Sequence, residues 1–314
     1  MGVSQQQTNK LDFQKFLKRH LSNSFADESM RSQIVSLLHT KGKIFSEQEN
    51  SFSWGQFYLH VSSLTDSEDT CNRSLIANAA AIELLILATD IVDEIVDDDD
   101  GLMETMSLAE AITISNALLI DAFHLILEHS PNNTSSIFSN LFYQLKMACS
   151  GQWNDLKLVV SDTIPTEEDY FQVIQQKSSS LIQLVCSLAH PSNPQLLTRI
   201  ATNIGIAGQL KNDANDIFID SKTDLIHKKA TLPVIKALEF SLEEDDGQLL
   251  HKIRCLSADD IQLKNEIRNY IRKTGAQDYC LILAKLYIKK AIEELYAIFP
   301  NKKMEVKKIQ DYLE

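Results

Sequence analysis

From Lys10 onward the apolar residues recur three and four positions apart in nearly every segment, as in Phe13, Phe16, Leu17 and again in Ile34, Leu37, Leu38. That spacing repeats once per helical turn, and no convincing period of two interrupts it, so the chain is expected to be all-α. Chain breakers are scarce enough to permit long helices: nine Gly and six Pro in 314 residues, a share of about 5% against a usual value near 12%. They fall between segments, at Pro131 with Asn132 and Asn133, at Pro165, and from Pro191 to Pro194. Ser107 with Glu110 forms a capping box, and Thr166 with Asp169 a weaker version. The expected helices cover 10–22, 27–40, 52–63, 72–98, 107–129, 134–160, 166–189, 195–220, 231–243, 258–273, 276–298 and 303–312. No linker, repeat or low-complexity tract marks a boundary, so residues 1–314 are expected to form a single domain.

A formal net charge of −13 argues against a nucleic-acid partner, which needs clustered Lys and Arg. It leaves room for an anionic ligand held through metal ions. Five Cys without a CxxC spacing imply neither a disulfide framework nor a zinc module, and are read as buried small apolar residues in a reducing cytoplasm. The eight His show no HxxH or HExxH spacing. Trp54 and Trp153 are read as packing residues. The longest apolar tract, Ala79 to Ala88, is too short to span a bilayer and carries Glu83, as a buried helix segment would. Peripheral attachment to a membrane and a homodimer both stay open.

Two of the expected helices, 72–98 and 195–220, are mostly apolar until they reach acids. The first ends in Asp93, Glu94, Asp97, Asp98, Asp99 and Asp100. Asp93 and Asp97, at i and i+4, lie about 40° apart around a helix and one turn apart along it, so both carboxylates reach one point in space. Such a pair suits a divalent cation. A bare acidic run usually only faces water, and Asp98 to Asp100 are read in that way. The second helix ends in Gln209-Leu-Lys-Asn212-Asp213-Ala-Asn-Asp216, with Asn212 and Asp216 at i and i+4 and Asp213 beside Asp216. Two oxygen-rich clusters without a His or Cys partner favour Mg²⁺, which is commonly shared with a substrate phosphate.

These residues resemble the trans-isoprenyl diphosphate synthase family over most of the chain. Its first aspartate-rich motif, ten residues after a Glu, corresponds to Glu83 followed by Asp93-Glu94-Ile-Val-Asp97. Its second, Q-x-x-DDxxD, corresponds to Gln209 through Asp216. In order around them, Gly42-Lys43 resembles the GK element, Gly151-Gln-Trp-Asn-Asp155 the GQxxD element, Lys177-Ser178 the KT element, and Lys229-Ala-Thr-Leu-Pro233 the KxTLP element. The resemblance implies an all-α bundle around a deep central cavity, with the acidic helices facing each other across its mouth. It implies Mg²⁺ held by Asp93, Asp97, Asn212 and Asp216, with Glu94 and Asp213 in support, and a diphosphate bound by Lys177, Lys229 and Lys43. Lys222 ranks below these. Donor length would be set by the residues four and five positions before the first Asp, here Thr89 and Ala88; both are small, which leaves room for a farnesyl chain.

The departures from the family pattern point to the acceptor. Chain-elongating members continue the GK element to an Arg and follow the first acidic motif with Arg-Arg, and these bind the diphosphate of isopentenyl diphosphate. Here Lys43 precedes Ile44-Phe45-Ser46, and Asp97 precedes Asp98-Asp99-Asp100. Carboxylates in place of a basic pair would repel a second diphosphate. The resemblance therefore implies a prenyltransferase that ionises an allylic diphosphate, farnesyl or geranyl, and passes the group to an acceptor without a diphosphate. Members with this pattern modify a tryptophan of a pheromone precursor peptide in quorum sensing and competence. Two rivals remain. Asn212, Asp213 and Asp216-Ile-Phe-Ile-Asp220 approach the second metal motif of terpene cyclases, with two residue types wrong, and a non-catalytic regulatory subunit of a synthase would keep the fold without the chemistry.

Overall fold

The computed structural model describes residues 5–42, 44–45, 53–65, 72–98, 105–130 and 134–313. Among them are fourteen α-helices and no strand longer than one bridge. They are α1 Gln5–Ser24, α2 Glu28–Thr40, α3 Trp54–Ser62, α4 Asn72–Asp97, α5 Leu108–His129, α6 Thr134–Asp155, α7 Glu167–Ile174, α8 Ser180–Ala189, α9 Thr198–Asp216, α10 Leu232–Glu244, α11 Gln248–Cys255, α12 Ile261–Lys273, α13 Ala276–Ile298 and α14 Lys303–Leu313. The all-α expectation holds. Both capping boxes form in full: Ser107 and Thr166 each accept from the amide three residues on, and Glu110 and Asp169 reach back to the cap amides. Lys43, Asp99, Asp100 and Cys71 lie outside the described residues.

Helix α4 is the axis of the first core. Ala79 through Ala88 are buried whichever way they point, because α1, α3 and α5 all pack on it. By length and composition α4 and α5 could each cross a membrane, but most of α4 is enclosed by its own bundle. A second core gathers α7, α10, α11, α12 and α13. Helix α9 belongs to both: Ile200, Ala201 and Ile204 enter the first, and Ile206, Ala207 and Leu210 the second. The two acidic segments are therefore the ends of helices built into the interior, α4 into the first core and α9 into both. Far along the chain, the Tyr312 hydroxyl of α14 donates to Ser53 O (2.8 Å) and accepts from the Ser53 amide (2.5 Å) at the start of α3.

The structure departs from the expected helices in three places that shape the site. The run expected over 166–189 contains one π-helical turn, Gln175–Ser179, between α7 and α8. The run expected over 134–160 stops at Asp155, because Leu158 and Val160 pair instead with the segment before α10: Val160 N–H donates to Lys228 O and Ala230 N–H to Leu158 O, both at 2.8 Å. That bridge carries Lys229 beside the end of α6. The run expected over 195–220 ends at Asp216, and a short helix, α11, fills a stretch where none was expected.

Glycines let α6 and α9 touch the π-turn. A Cβ at Gly151 would meet Lys177 N at 2.2 Å, and one at Gly205 would meet Ser179 Cα at 2.5 Å. A Cβ at Gly208, on the same helix as Gly205, would meet nothing within 4 Å. Gly151→Ala should therefore lose about 1–3 kcal/mol through overpacking. Gly208→Ala should gain about 0.5–1 kcal/mol by removing helix-interior backbone freedom. Urea denaturation of the two variants measures both signs; equal stabilities would be incompatible with the close approach at Gly151.

Candidate functional site

The acidic end of α4 is held by lysines from three other segments. Lys177, on the π-turn, places its ammonium 2.8 Å from Asp93 Oδ1 and 2.9 Å from Asp155 Oδ2. Lys229 lies 2.5 Å from Asp97 Oδ1, 3.3 Å from Asp224 Oδ1 and 3.8 Å from Asp155 Oδ2. Lys41, just past α2, pairs with Glu94. Thr223 also donates to the backbone oxygen of Asp97 (2.5 Å), fixing the helix end. The chain then turns at Asp98 with a positive φ of 53° and an exposed side chain. Burial opposes the charge on both lysines, but the carboxylates around them outweigh it and raise both pKa values above the ordinary lysine range.

The carboxylates show the reverse strain. Burial and the neighbouring Asp93 push Asp97 up to about 6, against the pull of Lys229 and Lys177. Two turns down α4, burial and the charges of Asp93, Glu94 and Glu83 push Asp90 up to about 7, with Lys41 pulling the other way. Glu83, Asp90 and Asp97 are seven residues apart and so share one face of the helix, drifting about 20° per step. Glu83 is fully enclosed. Its Oε2 accepts from Ser53 Oγ (2.7 Å) and the Gly55 amide (2.8 Å), while Oε1 has no hydrogen-bond partner among the described residues. A Cβ at Gly42 would come within 2.8 Å of that oxygen, so Gly42 is required by Glu83. Burial raises Glu83 to about 7 despite its donors.

On α9, Asp213 is buried and faces inward. It accepts from Tyr170 Oη (2.7 Å) and from Gln209 Nε2 (2.7 Å), while Gln209 Oε1 accepts from Ser178 on the π-turn (2.6 Å). Burial and the nearby Asp224 raise Asp213 to about 7. Asn212 is exposed, and Asp216 is half-buried with Lys222 at 3.8 Å.

The structure thus brings Asp93, Asp97, Lys177 and Lys229 into one ion-pair cluster. Asp213 and Glu94 are engaged by structural partners. No three acidic, His or Cys side chains converge as a metal cluster among the described residues. Lys43 lies outside them. The donor chemistry nonetheless fits a hard divalent cation such as Mg²⁺: the ligands are oxygens, and the ammonium groups on Asp93 and Asp97 stand in for positive charge there. Sequence reasoning met Asp155 as the acid of the GQxxD element without giving it a task, and did not single out Lys41, Asp90, Tyr170 or Asp224. Of the residues not singled out, Asp90 alone carried a signal, its heptad spacing from Glu83 and Asp97. Trp153 is exposed, with Lys157 over its ring at 4.5 Å, so it is not an interior packing residue. Cys149 and Cys255 are likewise exposed, whereas Cys186 and Cys280 are buried.

The chain belongs to the polyprenyl synthetase family, which matches residues 55–271. It is 27% identical over 252 residues to the tryptophan prenyltransferase ComQ of Bacillus spizizenii, covering 77% of this chain and 87% of that protein. It is 28% identical over 281 residues to the geranylgeranyl diphosphate synthase of Sulfolobus acidocaldarius, covering 81% and 84% respectively. The polyprenyl synthase of Caulobacter crescentus, solved with calcium and isoprenyl diphosphate, shares the fold with a TM-score of 0.78 at 19% identity, over 96% of this chain and 93% of that one. The protein is a prenyltransferase enzyme with the all-α isoprenoid synthase fold.

The raised acids make stability depend on pH. Glu83 binds its proton in the fold up to pH about 7 but releases it near 4.3 in the unfolded chain. Its contribution is complete below the unfolded value and is lost as pH rises through the folded one, at up to about 1.4 kcal/mol per pH unit. Glu83→Gln should flatten the fall in urea stability between pH 5 and 8 by up to one proton's slope. An unchanged slope would show that Glu83 ionises normally in the fold.

Proposed function

We propose that the protein transfers a farnesyl or geranyl group from its diphosphate to a tryptophan of a pheromone precursor peptide in the cytoplasm, in quorum sensing and competence. The observation that carries this reading is the contrast between the two diphosphate sides. On the donor side Lys177 and Lys229 stand at the acidic end of α4. On the side where chain-elongating members hold a second diphosphate, the residue after Lys43 is Ile44, fully buried, with its carbonyl accepting from Gln14 Nε2 (2.6 Å). An acid, Asp98, follows Asp97 directly. The similarity to ComQ supports the same acceptor.

In this reading Asp93, Asp97, Asn212 and Asp216 would hold Mg²⁺, which would supply charge neutralisation for a departing diphosphate. Support comes from the metal dependence general to the family and from the calcium in the Caulobacter relative. Lys177 and Lys229 add fixed positive charge where the leaving group's charge develops, which is the interaction that accelerates ionisation most. The C1–O bond of the donor breaks with its electron pair leaving on the diphosphate, and indole carbon 3 supplies the pair for the new carbon–carbon bond. The resulting indoleninium is neutralised as the peptide nitrogen closes onto carbon 2 and its proton passes to the released diphosphate or water. Carbon 3 is a good nucleophile without prior deprotonation, so no activated Ser or Cys is required.

The donor tail runs along α4. Ala88 is buried, and its carbonyl accepts from Ser115 Oγ of α5 (2.9 Å), so it belongs to the α4–α5 contact. Thr89 is half-buried and caps its own turn by donating to Ile86 O (2.8 Å), which leaves it as the position of the pair able to meet a substrate.

With farnesyl diphosphate, Mg²⁺ and a Trp-containing precursor peptide, mass spectrometry should find the prenylated peptide, and Asp97→Asn should lower its rate about 10²–10³-fold. Asp98→Asn should leave it within about twofold, as expected for an exposed side chain. Longer diphosphates formed with isopentenyl diphosphate, or hydrocarbon released without peptide, would replace this reading with chain elongation or cyclisation. No turnover of any kind would favour the regulatory subunit. Separately, Thr89→Phe should shift kcat/KM from farnesyl toward geranyl diphosphate, since each CH₂ that no longer fits forfeits about 0.8 kcal/mol. An unchanged ratio would place the tail elsewhere.

A further inference from the structure

We propose that Asp155 is a positioning residue: it is the shared anchor that holds Lys177 and Lys229 for the donor diphosphate, separately from their contacts with Asp93 and Asp97. The inference rests on the reading that these two lysines face that diphosphate. Among the described ion pairs Asp155 is the one carboxylate that touches both ammonium groups, at 2.9 Å and 3.8 Å. It is the last residue of α6, and α6 is fastened to the π-turn carrying Lys177. Gly151, one turn earlier, abuts the Lys177 backbone, and Asn154 Nδ2 donates to Gln176 Oε1 (3.1 Å). On its other side, the bridge from Leu158 and Val160 to Lys228 and Ala230 fixes the Lys229 backbone to the same stretch of chain. One short segment, 151–160, therefore sets both lysine backbones and carries the carboxylate between their ammonium groups.

The other partners of the lysines have competing uses. A cation drawn to Asp93 and Asp97 takes those carboxylates from Lys177 and Lys229. Lys177 then keeps Asp155 alone among its described ion-pair partners, and Lys229 keeps Asp155 and Asp224. Long, flexible lysine stems need such an anchor to present their charges at a fixed place. The proposal has a sign that simple electrostatics does not share. A carboxylate beside an anion site that only contributes charge repels the anion, so its removal tightens binding; an anchoring carboxylate weakens binding when it is removed.

The test is calorimetric titration of the full chain with inorganic pyrophosphate in the presence of Mg²⁺, which reads the site without turnover. Wild type should bind, and Lys177→Ala and Lys229→Ala should each bind at least tenfold more weakly. Asp155→Asn should also weaken binding tenfold or more, and Asp155→Glu, which keeps the charge one methylene further out, about threefold. In a Lys177→Ala/Lys229→Ala background Asp155→Asn should add less than twofold. Unchanged or tighter binding by Asp155→Asn, or an undiminished effect in the lysine-free background, would overturn the anchor while leaving the donor site standing. If Asp155→Asn does not fold, Asp155→Glu decides, and wild-type affinity in that variant overturns the proposal. Lysine variants that bind pyrophosphate like wild type would overturn the donor-site reading and the anchor with it.

Discussion

Four carboxylates, Asp93, Asp97, Asp155 and Asp224, share the ammonium groups of Lys177 and Lys229 at the end of α4. Charges of one sign outnumber the other, within a few ångströms, in a place water reaches only in part. At such distances unscreened repulsion amounts to several kcal/mol at an effective dielectric constant near 20. Burial first, and this repulsion second, make acids in and beside the cluster hold their protons more tightly: Asp90 and Asp213 to about 7 and Asp97 to about 6. The cluster is thus short of positive charge, and a divalent cation arriving with an anionic substrate would relieve the shortage. The remaining architecture can be understood as whatever keeps these groups together despite their repulsion.

Backbone geometry does most of that work. The lysines do not reach the site from ordinary helix interiors. Lys177 sits on a π-turn, where an extra residue per turn redirects side chains and which often marks a functional position. Two helices close on that turn because Gly151 and Gly205 leave no side chain in the way. Lys229 is placed by the one β-bridge found among the described residues. Glu83 does a related task in the interior, accepting from Ser53 and Gly55 so that the start of α3 sits against α4.

Period and capping chemistry made the helices legible, since both are local and both survive packing. The breaks after Asp155 and within 166–189 were not. Leu156 to Val160 continues an apolar pattern that a helix could use, and only its partner segment 70 residues later makes it extended. A π-turn has no sequence signature of its own. At the site, i and i+4 spacing identified Asp93 with Asp97, and Lys177 and Lys229 came from family motifs rather than from pattern. Glu94 and Asp213, which the family resemblance puts in support of the metal, are held by Lys41 and by Tyr170 and Gln209, contacts that neither motif nor spacing reports.

The contact between Tyr312 and Ser53 closes a loop of 259 residues. Synthesis proceeds at roughly 5–20 residues per second, N-terminus first, so Ser53 is made on the order of ten seconds or more before its partner. During that interval the start of α3 and the buried carboxylate of Glu83 behind it lack their last covering helix. The growing chain must carry a proton-sensitive interior group, Glu83, uncapped until α14 has been made. The hydrogen bonds of α14 then act as a late latch on the start of α3.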